Sequence, residues 1–150
     1  MSKAGFIEFF DRDLTTLHKE ISSYNTENNL WIVSGNISNC SGNLCLHLIG
    51  NLNHFIGAVL GKTGYVRDRD KEFTTKHIPK TDLLTSIEKT KQMVHHTLHH
   101  LSTEQYNSLY PIEFLGKNLI TDHMLLQLST HLNYHLGQIN YHRRLLDINQ

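Results

Sequence analysis

Three observations predict an all-α fold, a four-helix bundle with long connections. Four stretches repeat their apolar residues with the 3.6-residue period of a helix, the segments between them are long, and no alternating strand pattern appears beyond short possibilities near Trp31 and Tyr110. At 150 residues, with two Pro and two Cys, the chain is expected to form one domain over 1–150. A chain of this length buries about 70% of its unfolded surface, so it needs no disulfide or metal merely to hold a core.

The first helix is predicted from Phe6, Phe10, Leu14, Leu17, Ile21 and Tyr24, which fall within about 80° of one another on a helical wheel. Residues 25–40, rich in Asn and Gly around Trp31, read as a turn-rich connection whose Trp31 segment docks on the bundle. The second helix runs from Ser41 to Leu60. Residues 61–80 form a long connection carrying Arg67-Asp68-Arg69-Asp70, read as a solvated turn, with binding of an anionic group at the site mouth as the alternative. A third helix is predicted to start at Asp82, as N-cap after Pro79, and to end near His100. After a second long connection, 102–120, Thr121 or Asp122 caps a final helix to about Leu146.

Fourteen basic residues balance fourteen acidic ones. Zero net charge argues against nucleic acid or an anionic membrane as partner. The opening MSKAGFIEFFDRD lacks an apolar leader core, and no apolar run approaches the roughly 20 residues of a membrane span, so a cytoplasmic location is expected. Cys40 and Cys45 match neither a redox nor a zinc spacing and read as buried packing residues.

Twelve histidines are the anomaly of this composition. On the last helix His131, His135 and His142 share the core-facing stripe with Met124, Leu128, Ile139 and Leu146, while Ser129, Asn133, Asn140 and Arg144 lie opposite. His131 and His135 form HxxxH, the spacing that lets two imidazoles on adjacent turns converge on one ion; two hydrogen-bonded core histidines are the competing reading. His142 is about 16 Å along the axis from His131, too far to share a metal, and reads as a core or second-site residue. The second helix offers His47 or His54 as a third ligand, together with Asn51 on the same face. That face is centred more than about 90° from the leucine arc and is open to a solvated reading. His95, His96, His99 and His100 read as an exposed patch at a helix end, and His18, His77 and His123 as structural or surface residues.

The segments LCLHLIGNLNHFI (44–56), KTGYVRDRDKEF (62–73) and HLNYHLGQINYHRRLL (131–146) together resemble the DinB/YfiT-like superfamily of bacterial four-helix-bundle metalloenzymes. The resemblance implies that His47, His131 and His135 bind a divalent ion, with HLGQ at 135–138 fitting the family pattern. It also implies a homodimer, for which Leu125, Leu132 and Leu136 suggest a helix face. Zn, Ni, Fe and Mn all suit imidazole ligands. Three ligands leave an open position for water or a small-molecule substrate, so a metal-dependent hydrolase or thiol S-transferase is the first expectation. His54 is then the candidate acid–base group. The alternatives are a metal- or ligand-binding, stress-associated bundle without turnover, and a structural homodimer with hydrogen-bonded core histidines.

Overall fold

The computed structural model describes residues 2–148. Its described residues form helices and loops without a strand; the possibilities near Tyr110 reduce to isolated bridges, Leu109 with Ile120 and Phe114 with Lys117. Trp31 closes a 3₁₀ turn, Glu27–Trp31, and is buried.

Helix α1 spans Lys3–Ser22, its first turn closed by the Ser2 hydroxyl, which accepts from the Gly5 amide at 3.1 Å. The predicted stripe from Phe6 to Tyr24 is buried throughout. Each such large apolar side chain contributes about 1.5–3 kcal/mol when fully withdrawn from water.

Helix α2, Ser41–Leu52, continues as a π-helical segment, Asn53–Leu60. Its leucine arc packs into the core, and the free thiols of Cys40 and Cys45 are buried with it. Burial pushes the Cys45 thiol up to about 12, as expected of a packing residue. The whole of Ser41–Leu60 is long and apolar enough to cross a membrane by length and composition, contrary to the expectation that no such run exists; more than half of its apolar window is buried within the fold. The polar face of α2 also departs from its solvated reading. His47 and Asn51 are buried because a short helix, α3 (Arg69–Thr74), covers that side, with the last helix packed alongside.

Helix α4 spans Lys80–His100 and begins two residues before the predicted cap. Asp82 lies in its first turn, and the Glu27 carboxylate, from the 3₁₀ turn, accepts from the Lys80 amide at 2.6 Å. A cap supplied from 53 positions away in sequence replaces the local one. The far end of α4 presents His95, His96, His99 and His100 to solvent. There Lys3 donates to the carbonyls of His99 and Leu101 at 3.1 and 2.7 Å, a cation on the negative end of the helix.

A short helix, α5 (Thr103–Asn107), precedes α6, Thr121–Leu146. The N-cap position of α6 is Ile120, and Thr121 instead donates its amide and hydroxyl to the Ser108 carbonyl. Helix α6 packs on both α1 and α2. Its polar side is therefore only partly solvent-facing: Asn140 and Arg143 donate to buried Glu20 of α1 at 2.9 and 2.8 Å, and Asn133 donates to buried Asp13. Leu125, Leu132 and Leu136, the proposed dimer face, are buried within the same chain.

Candidate metal centre

Helix periodicity brings His131 and His135 together on α6, and the packing of α2 against α6 brings His47 to them. The Nε2 atoms of His47 and His135 stand 3.2 and 3.1 Å from Nε2 of His131. One ring nitrogen from each of the three lies within 4.8 Å of those from the other two. Two nitrogens held about 2.0–2.1 Å from one tetrahedral ion would be separated by about 3.3–3.4 Å, close to the two short contacts.

The neighbours of each ring set its proton. His47 Nδ1 lies 2.8 Å from Oε2 of Glu72 in α3, so Nδ1 donates and Nε2 carries the lone pair. His135 Nδ1 lies 2.6 Å from the Gln138 side-chain oxygen, giving the same tautomer. Both lone pairs therefore point towards His131. Neutral His131 has one N–H to offer, and its Nδ1 is buried without a hydrogen-bond partner among the described residues. If that proton sits on Nε2, one of the two facing lone pairs remains unmatched and Nδ1 is an orphaned acceptor. If it sits on Nδ1, three lone pairs converge and the donor is orphaned. Extra protonation is opposed: burial, reinforced by the neighbouring His135 and His47, pushes His131 down to about 4. A cation among the three nitrogens removes this frustration, so the donor set fits a divalent metal.

Glu72 is the residue that reading the histidines alone does not supply. It is buried, and Arg67 grips it through Nε at 2.7 Å and Nη2 at 3.0 Å. Burial alone would raise its pKa, but the hydrogen bonds from His47 and Arg67 hold it below the usual carboxylate range and keep it ionised. The space for its carboxylate is made by Gly50, where a Cβ would lie 2.1 Å from Oε1. Arg67 is thus turned inward, and Asp68 caps α3 by accepting from the Lys71 amide at 3.1 Å, so this charged run is neither a free turn nor an open anion site. The available signal was chemical: a ligating imidazole calls for an acceptor on its other nitrogen, and the connection after α2 carries three acids, Asp68, Asp70 and Glu72.

His54 is not among the three converging histidines. It lies in the π-helical segment, its ring 4.7 Å from that of Phe55. Burial, assisted by the Arg67 charge, lowers its pKa. Asn51, one turn beyond His47, is buried with its side-chain oxygen unpaired among the described residues. His142 occupies the core as predicted: Tyr24 donates to Nδ1 at 2.7 Å, and Nε2 donates to the Ile32 carbonyl at 2.9 Å.

The sequence signature of a family described as "Protein of unknown function (DUF1572)" matches residues 6–150, which include all three histidines and Glu72. The chain belongs to the DUF1572 family. A search among curated proteins finds no match to it.

The buried imidazoles give this DUF1572 protein a definite pH response. Burial lowers His131, His135 and His142 below the ordinary histidine value of 6.5. The unfolded chain therefore binds more protons than the native one below that value, and stability falls as pH drops. For the metal-free protein the urea midpoint is expected to decline from about pH 6.5 and to keep falling towards pH 4, where His131 titrates. Equal midpoints at pH 7 and pH 5 in the presence of a chelator would show that these histidines are not held neutral by the fold.

Proposed function

We propose that this protein is a divalent-metal-binding protein of the DinB/YfiT type, with α1, α2, α4 and α6 forming a four-helix bundle. The observation that carries the reading is the convergence of three imidazole nitrogens, two of them locked as lone-pair donors by Glu72 and Gln138. A divalent ion held by His47, His131 and His135 with an open position supplies Lewis acidity towards a water or thiol, which suits a hydrolase or thiol S-transferase acting on a small molecule. Glu72 orients His47 and raises its basicity, and Arg67 keeps that carboxylate in place. His54 is the nearby group suited to moving a proton, since its lowered pKa keeps it neutral at pH 7.

The test is the metal content of tag-free protein grown with metal supplied. Wild type is expected to carry close to one equivalent, and His131→Ala and His135→Ala to lose it while remaining folded. Wild type without metal under those conditions would refute the reading. A second reading, a ligand-binding homodimer without turnover, is favoured by the exposed apolar residues Tyr134, Tyr141 and Leu145 on α6. It predicts metal loading without activity on ester, amide or thiol substrates.

A further inference from the structure

A groove of about 740 Å³ opens beside His135, one of the three converging histidines. One wall is the 34–39 loop, the other is Tyr134, Tyr141 and Leu145 of α6, and His135 and Gln138 also line it. The volume falls within the range of small-molecule sites.

Its lining has one chemical character. No Asp, Glu, Lys or Arg lines the groove among the described residues. Arg67, the cation nearest the histidines in the hydrogen-bond pattern, is committed to Glu72. His142 also borders the groove, but both its nitrogens are engaged, one by Tyr24 and one by the Ile32 carbonyl, so it offers a ring face only. That bond to Ile32 also ties the start of the loop wall to α6. A cation entering here would shed water and meet no opposite charge among the lining residues, and an anion would find none there either short of a metal at the centre, so a charged body lying along the groove carries a large penalty. A neutral molecule avoids it: aromatic and aliphatic surface is available on α6, and Asn36 and Asn39 carry amides in the loop wall.

We propose that the groove binds an uncharged organic molecule whose apolar or aromatic body lies against Tyr134, Tyr141 and Leu145, and whose one ligating atom is directed to the centre at His135. The last element rests on the metal reading above; the groove and its preference for neutral ligands do not.

The test uses the whole chain loaded with cobalt(II) near neutral pH, titrated with imidazole, phenylimidazole and imidazolylbenzoate, whose para carboxylate cannot reach the same ion, while the cobalt absorption is followed. Burying a phenyl group against the groove is expected to make phenylimidazole about tenfold tighter than imidazole. The anionic imidazolylbenzoate is expected to lose that advantage. Tyr141→Ser with Leu145→Ser, both at exposed positions, should reduce the advantage to less than about threefold while leaving the cobalt spectrum unchanged. In parallel, phenylimidazole is titrated into metal-free protein and amide shifts are mapped by NMR, with the changes expected at Gly35, Asn36 and Tyr141. Cobalt that binds without a phenylimidazole advantage, or shifts that lie elsewhere, overturns the groove and leaves the metal reading standing. Cobalt that does not bind overturns the metal reading; shifts at the three groove amides still support the groove, and their absence overturns it. Tighter binding of imidazolylbenzoate than of phenylimidazole overturns the neutral class. A wild-type dimer dissociated by the same double substitution would mean that a second copy covers this face, which also overturns the proposal.

Discussion

Glu72→Ala should unfold at a markedly lower urea concentration than wild type and bind divalent metal more weakly. The substitution leaves Arg67 without its carboxylate partner, although its side chain is only 14% exposed, and leaves Nδ1 of His47 without an acceptor. Removing one member of a buried ion pair costs about 3–5 kcal/mol because the other charge remains desolvated. Loss of the acceptor behind a ligating histidine lowers metal affinity about 10–100-fold. Glu72→Gln separates the two effects, since it keeps an acceptor for His47 while removing the charge that balances Arg67. Chelator competition on the three proteins measures the affinity, and urea unfolding without metal measures the stability. A Glu72→Ala protein whose metal affinity stays within twofold of wild type would reduce Glu72 to a structural partner of Arg67.

Gly50→Ala is expected to reach the same centre from the opposite side. In an open helix the change would stabilise by about 1 kcal/mol, because alanine is the better helix former. Here the added methyl would stand 2.1 Å from Oε1 and 2.7 Å from Cδ of Glu72, so the carboxylate or the whole of α3 has to move. Overpacking of this kind costs about 1–3 kcal/mol, which reverses the sign of the helix-propensity effect. The decisive measurement is the double mutant. With Glu72→Ala present the obstacle is gone, so Gly50→Ala should become neutral or stabilising, giving a coupling energy of about 1–3 kcal/mol. Strict additivity would show that the two residues do not compete for the same space.

The long helices were legible because their period extends over many turns. The α1 stripe from Phe6 to Ile21, the span of Ser41–Leu60 and the end of α6 at Leu146 all follow from it. Helices α3 and α5, of six and five residues, are too short to display a period, and each lay inside a segment read as a connection. Missing α3 had the larger consequence. Without it nothing covers the His47 side of α2, so a face buried under Glu72 and Phe73 looks solvated. Leu125, Leu132 and Leu136 misled for the opposite reason. Helix α6 packs on both α1 and α2, with α5 and the 3₁₀ turn also against it, and needs a wider apolar arc than one interface requires. The capping of α4 by Glu27 was invisible because local sequence contains no trace of a contact made across 53 residues.

The candidate site divides along the same line. His131 and His135 stood out by i,i+4 spacing on a core-facing stripe, a pattern equally open to two hydrogen-bonded core histidines, and the family resemblance selected them as ligands together with His47 over His54. Glu72 was not, since an acid in a charge-rich connection looks like any solvated acid until its partners are seen. Arg67 was read as surface for the same reason, although it lies against a buried carboxylate.

His47 and His131 are 84 residues apart in the chain, and that separation gives an ion at the centre a topological role. Binding all three histidines would close a loop containing α3, α4 and α5, as a covalent cross-link does. For a loop of this length, chain statistics assign a cross-link about 4–5 kcal/mol through restriction of the unfolded ensemble. Unlike a disulfide, this tether opens whenever a chelator or acid removes the ion. The centre would then act as a reversible staple, and the resistance of the native chain to unfolding and proteolysis would track the free metal concentration around it.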